Sequence, residues 1–179
     1  MITSVHHVAY RCKSAKETVR FYQRYLDLDF TLAIAEDKVP STGEADPYMH
    51  VFLKIDDQAS LAFFELPSSP EMGADPSTPA WVQHIALRVS SREDLEHIKA
   101  RLLADEREVL GPVSHGIFES IYFFDPNGHR LEVALDLPLT HDGRDAREQL
   151  KALAEPMLEA WDQTGEPPKH AAWLHSVEP

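Results

Sequence analysis

The sequence predicts an α+β protein made of two tandem βαβββ modules and a C-terminal helical extension. Three observations carry that prediction. The stretch Val5-His6-His7-Val8-Ala9-Tyr10-Arg11 returns as Val82-Gln83-His84-Ile85-Ala86-Leu87-Arg88, so Val5, His7, Ala9 and Arg11 recur without a gap. The same offset carries Ser14 onto Ser91 and Arg24 onto Arg101. A repeat sets the architecture before any single element does. Each copy is followed by a serine-capped amphipathic helix and then by short runs rich in β-branched and aromatic residues. Between the copies, residues 67–79 hold four prolines and little to bury, which makes them a linker. The expected organisation is a first module at 1–66, the linker at 67–79, a second module at 80–136 and an extension at 137–179.

Residues 2–12 read as the first strand. Ser14 is an N-cap, and Glu17 three residues on completes a capping box. The helix is expected to reach Leu26 and to bury Phe21, Tyr22, Tyr25 and Leu26. Strands follow at 29–35, 50–55 and 60–66, with a polar loop at 37–47 and a turn at Asp56-Asp57. In the second module a strand at 81–89 leads to a helix capped by Ser91, with Asp94 at the capping-box position. Leu95, Ile98, Leu102 and Leu103 are its expected buried stripe. A strand is expected at 108–113. Strands at 116–124 and 129–135 flank Asp125-Pro126-Asn127-Gly128, whose proline and glycine positions signal a tight turn between antiparallel strands. Residues 145–161 form a helix with a stripe of Leu150, Leu153, Ala154, Met157, Leu158 and Trp161. Pro156 should kink it or begin a second segment. The tail carries Pro167, Pro168, His170, Trp173 and His175. The apolar stripe is expected to pack on its own domain, ahead of serving as a subunit interface or a lid.

Composition bounds the function. The 179 residues are 43% hydrophobic and 26% charged, typical of a soluble globular chain. A net charge of −13 argues against binding nucleic acid or an anionic membrane surface. No apolar run approaches the roughly 20 residues that span a bilayer, and residues 1–12 offer no basic-then-apolar signal segment. The single cysteine, Cys12, excludes an internal disulfide framework and fits a reducing compartment, so a cytoplasmic location is expected.

Side chains alternate across a strand. Val8, Tyr10 and Cys12 therefore share one apolar face, as do Ile85, Leu87 and Val89. The opposite faces carry His7, Ala9 and Arg11, or His84, Ala86 and Arg88, and suit the wall of a cleft. The last strand of each module also holds a glutamate: Glu65 in Leu61-Ala62-Phe63-Phe64-Glu65, and Glu132 in Arg130-Leu131-Glu132-Val133. Glu132 opposes its apolar neighbours in parity. Around Glu65 both faces are apolar, and a carboxylate there needs a partner, since an isolated buried charge is costly. A metal ion would be one. Two imidazoles with one or two carboxylates suit a first-row divalent ion: Ni, Zn, Co, Fe or Mn.

These residues bring out a resemblance. His-His-Val-Ala-Tyr, His-Ile-Ala-Leu-Arg-Val and Ser-Ile-Tyr-Phe-Phe-Asp-Pro-Asn-Gly-His-Arg-Leu-Glu-Val are similar to the vicinal oxygen chelate superfamily, which includes glyoxalase I, bleomycin and fosfomycin resistance proteins and extradiol dioxygenases. The resemblance covers residues 1 to about 136. It implies paired βαβββ modules whose mixed sheet curls around a metal cleft. It implies one divalent metal held by His7, Glu65, His84 and Glu132, a small-molecule substrate with vicinal oxygens, and a homodimer.

Two chemistries follow from the resemblance. A full set of four ligands points to a glyoxalase I-like isomerase or lyase, in which Glu65 or Glu132 alternates between ligation and base catalysis. Three ligands, His7, His84 and Glu132, point to an extradiol dioxygenase, with His115 and Tyr122 similar to the histidine and tyrosine that stand behind the ligands in that group and His115 as the proton shuttle. Phe63, Arg88 and Tyr122 are the candidate substrate contacts. A metal-free small-molecule binding protein is the reading from another class.

Overall fold

The computed structural model describes residues 1–73, 75–169 and 172–175. The first module contains β1 (His7–Cys12), α1 (Ala15–Leu26), β2 (Asp29–Glu36), β3 (Tyr48–Lys54) and β4 (Ser60–Glu65). Its sheet runs β1-β4-β3-β2, with β1 parallel to β4 and the other pairs antiparallel. The second contains β5 (His84–Val89), α2 (Arg92–Ala104), β6 (Leu110–Ser114), β7 (Phe118–Phe124) and β8 (Arg130–Asp136). Its sheet runs β5-β8-β7-β6, the first order with every label raised by four. The internal repeat seen in the sequence is thus a repeat of topology. Neither sheet closes into a barrel. A short ribbon of β9 (Thr140–His141) and β10 (Arg144–Asp145) precedes α3 (Ala146–Thr164), and a 3-10 turn spans Ala172–His175. Contacts sort the chain into two interleaved compact units: Met1–Ile85 with Ala100–Glu108 and Phe123–Leu131, and Ala86–Lys99 with Val109–Tyr122 and Glu132–Pro179.

α1 begins where the capping box predicts. Ser14 is extended, and its hydroxyl accepts from the Glu17 N–H at 3.3 Å. Phe21, Tyr22 and Tyr25 are buried with Val51, Leu53, Leu61 and Phe63, which makes the core of the first unit. In α2, Leu95, Ile98 and Leu102 are buried. Leu103 is half exposed, against expectation. One residue past Leu102 it is turned about 100° around the helix, off the buried stripe.

α3 is one helix through Pro156, so no second segment begins there. Pro156 is exposed, and its missing N–H removes one intrahelical hydrogen bond. The stripe of α3 is only partly covered: Leu150, Leu153 and Met157 are half-buried, while Leu158 and Trp161 are 65% and 53% exposed. Of the tail residues singled out in the sequence, His170 lies outside the described residues.

Candidate functional site

Strand register decides which side chains share a face. β1 pairs with β4 as His7 with Ser60, Tyr10 with Phe63 and Cys12 with Glu65. Residues directly opposite each other point the same way. Cys12, Leu61 and Phe63 are buried, so Glu65 belongs to the face covered by α1, and His7 to the other. The Glu65 Oε2 accepts the Ala15 N–H at 2.6 Å, in the first turn of α1. The first turn of α1 thus gives the Glu65 carboxylate a hydrogen-bond partner. The first amides of a helix lack intrahelical acceptors, and its N-terminus carries partial positive charge. The structure therefore does not bring Glu65 together with His7. Phe63 is 0% exposed and packs on Tyr22 at 5.1 Å between ring centroids, within the core of the first unit.

The His7 face of this sheet is aromatic. His7 is exposed, with its Nδ1 2.7 Å from the Nδ1 of His6. Its ring meets Phe52 edge-on at 5.4 Å and lies 6.2 Å from the ring of His50. His50 stacks on Phe64 at 3.6 Å, is 8% exposed, and has no hydrogen-bond partner at Nε2. Burial, with His7 nearby, pulls its pKa below the usual imidazole value. His50 was not singled out in the sequence. The available signal was parity, because His50 and Phe52 alternate with the buried Val51 and Leu53.

In β5 the expected alternation is present: Ile85, Leu87 and Val89 are half-buried, and His84, Ala86 and Arg88 are exposed. The His84 Nδ1 lies 3.0 Å from the carbonyl oxygen of Val82. A hydrogen bond from Nδ1–H to a carbonyl leaves Nε2 as the lone-pair nitrogen, the arrangement found in metal-binding histidines. The Arg88 Nε pairs with Asp136 at 3.2 Å, and the Arg88 side chain is largely exposed.

Glu132 is 4% exposed. Its Oε1 accepts from the Ser120 hydroxyl at 2.5 Å and from the Tyr122 hydroxyl at 3.1 Å. The Tyr122 oxygen also lies 2.7 Å from the His115 Nε2. A phenol has one hydrogen to give. With that hydrogen on Glu132, His115 donates from Nε2 and Tyr122 accepts. Three of the residues named from the sequence, His115, Tyr122 and Glu132, thus form one hydrogen-bonded chain. Ser120 completes it and was missed. It shares parity with Tyr122, and both oppose the buried Ile121 and Phe123.

Two cavities are lined in part by His84 and Glu65, one residue each. One of about 510 Å³ includes Tyr10, Lys13, His84, His129 and Arg130 in its lining. Another of about 490 Å³ includes Ala15, Lys16, Tyr48 and Glu65. Among the described residues, no three His, Cys, Asp or Glu side chains stand close enough together to hold a metal ion.

The model of the Glyoxalase/Bleomycin resistance protein/Dioxygenase superfamily matches residues 4–133. The chain belongs to that superfamily. Solved structures agree on the fold. A glyoxylase/bleomycin resistance protein/dioxygenase domain from Frankia sp. EAN1pec is 19% identical with a TM-score of 0.61, covering 76% of this chain and 100% of its own. The fosfomycin resistance protein FosX from Listeria monocytogenes, complexed with Mn(II) and sulfate, is 18% identical with a TM-score of 0.53, covering 76% and 95%. A lactoylglutathione lyase from Agrobacterium tumefaciens is 22% identical with a TM-score of 0.51, covering 75% and 94%. No curated protein matches the chain. The superfamily match ends before β9, β10 and α3. Among the described residues no helix is long and apolar enough to cross a membrane.

Proposed function

We propose that this superfamily member is a divalent-metal-dependent enzyme acting on a small molecule with vicinal oxygens, and that it is of the three-ligand type. His7, His84 and Glu132 would hold the ion, a two-histidine, one-carboxylate set that suits Fe(II) or Mn(II). The observation that carries this reading is the chain His115–Tyr122–Glu132. The tautomer of His84 fits ligation. Glu65, engaged at the start of α1, supports three ligands over the four of a glyoxalase I-like isomerase. The reaction class this favours is oxidative cleavage of a catechol-type ring, as in the extradiol dioxygenases.

A bound ion would supply Lewis acidity toward the substrate's adjacent oxygens. The protein's own groups do the rest. Ser120 and Tyr122 hold the Glu132 carboxylate in one orientation, and ligands fixed in this way bind metal more tightly. His115 and Tyr122 hold a transferable proton across 2.7 Å, within reach of general acid–base work.

A homodimer completes this reading. His7 and His84 are exposed in the single chain, so ligands from two chains can be shared. The deciding experiment measures metal content after purification without chelators, then oxygen uptake with catechols. Expected are bound Fe or Mn, oxygen consumption abolished by chelator, and a rate at least 100-fold lower in Tyr122→Phe with metal retained. Metal-free protein after reconstitution would reject the enzyme reading in favour of a binding protein. Proton exchange on 2-oxo hemithioacetals without oxygen uptake would restore the isomerase.

A further inference from the structure

The C-terminal extension reaches back to the loop that carries His115. Residues 115–117 join β6 to β7. The His115 N–H donates to the Phe118 carbonyl at 2.8 Å, and the His115 ring lies on Phe118 at 4.7 Å. Gly116 next to it has φ +81°, a conformation that side chains rarely adopt. A Cβ placed there would lie 2.7 Å from the Leu174 Cδ1 and 2.8 Å from the Leu174 carbonyl oxygen. Leu174 is thus seated directly on this glycine, and no larger residue would admit it.

The loop and the turn that carries Leu174 are both anchored by the extension. Trp173 stacks on His141 at 4.1 Å with an interplanar angle of 3°. The Ile117 carbonyl accepts from the Leu137 N–H at 2.9 Å and from the Arg147 guanidinium at 2.5 Å. Arg147 is itself held by Asp136 at 2.7 Å. Every one of these anchoring residues lies beyond residue 133, the end of the superfamily match.

We propose that Leu174 is a positioning residue: by sealing Gly116 it fixes the loop so that the His115 Nε2 stays on the Tyr122 hydroxyl. The consequence for catalysis rests on the reading of His115 and Tyr122 as an acid–base pair; the positioning does not. An isolated loop built on a left-handed glycine has many conformations to lose. Leu174 and Trp173 supply the contacts that select one. The extension, absent from the matched domain, is then a part of the site and not an appended tail.

The test uses full-length protein with ¹⁵N-labelled histidine, following the His115 ring resonances by NMR after assignment with His115→Gln. Tyr122→Phe marks the resonance positions of His115 without its partner. Leu174→Ala is expected to move the His115 signals onto those positions, and Leu174→Met to keep them at wild type. Trp173→Ala, which releases the turn at its other anchor, should shift them in the same direction and serves if Leu174→Ala does not fold. His115 signals unmoved in folded Leu174→Ala or Trp173→Ala protein would overturn the proposal and leave the turn a mere cover for apolar surface. Mn(II) binding to the wild type, followed by electron paramagnetic resonance, is read separately. Its failure would sink the metal-enzyme reading without touching the ring resonances.

Discussion

A carboxylate set in an apolar strand has to find donors, and the two modules meet that need differently. Glu65 takes a backbone N–H at the start of α1, while Glu132 takes two hydroxyls. Substitution should separate them. Glu65→Ala is expected to destabilise the fold by about 1–2 kcal/mol, through loss of a charge-assisted bond at a helix N-terminus, and to leave Mn(II) affinity within about twofold. Glu132→Gln is expected to lower Mn(II) affinity at least tenfold. Denaturant midpoints and metal titrations check both, and a large affinity loss in Glu65→Ala would return that residue to the ligand set. Cys12 permits a second residue-scale prediction. Burial pushes its thiol up to about 11, so at pH 8 almost none is thiolate, the reactive form. A thiol reagent should find no reactive group in native protein and one in denaturant; rapid native labelling would refute the burial. Glu132 was legible in the sequence because its apolar neighbours have opposite parity. Glu65 was not, because Leu61-Ala62-Phe63-Phe64 is apolar on both faces and offers no contrast. Only the pairing of Cys12 with Glu65 shows the side.

At the scale of elements, the turn 125–128 does more than reverse the chain. The Asn127 Oδ1 accepts the Lys13 N–H at 2.8 Å, and its Nδ2 donates to the Thr18 hydroxyl at 3.0 Å. Asp125 accepts from the Tyr22 hydroxyl at 3.2 Å. Thr18, Asp125 and Asn127 are all buried, so the turn is a polar plug against α1. Asn127→Leu keeps the bulk but strands the Lys13 amide, while the Thr18 hydroxyl keeps its bond to the Ser14 carbonyl. One unsatisfied buried group costs about 1–3 kcal/mol, so a loss of about that size is expected in chemical denaturation. A loss under about 0.5 kcal/mol would mean that the plug adds nothing. The reversal was legible because proline and glycine positions are local signals. The docking was not, because its partners lie more than one hundred positions away in sequence.

Over the whole molecule, duplication leaves a reciprocal mark. Arg24, near the end of α1, pairs with Asp105 just past α2 at 2.6 Å, and Arg101, near the end of α2, pairs with Asp27 just past α1 at 2.6 Å. These exposed pairs add little energy each, yet they show that the two arginines matched by the repeat hold equivalent posts. The edge strand β2 is exposed along its whole length, with Phe30, Leu32 and Ile34 each more than a third exposed. An open, apolar edge strand is a pairing hazard unless something covers it. Its register places Ile34 beside His50 and Leu32 beside Phe52, on the His7 face. A second copy covering this edge would both bury the strand and bring a partner to the proposed ligand. Light scattering is therefore expected to give twice the 20.3 kDa of one chain. The double variant Leu32→Lys, Ile34→Lys should give folded monomer with metal affinity reduced at least tenfold. A wild-type monomer at micromolar concentration would remove the shared-ligand reading, and one chain would then have to gather His7, His84 and Glu132 by itself.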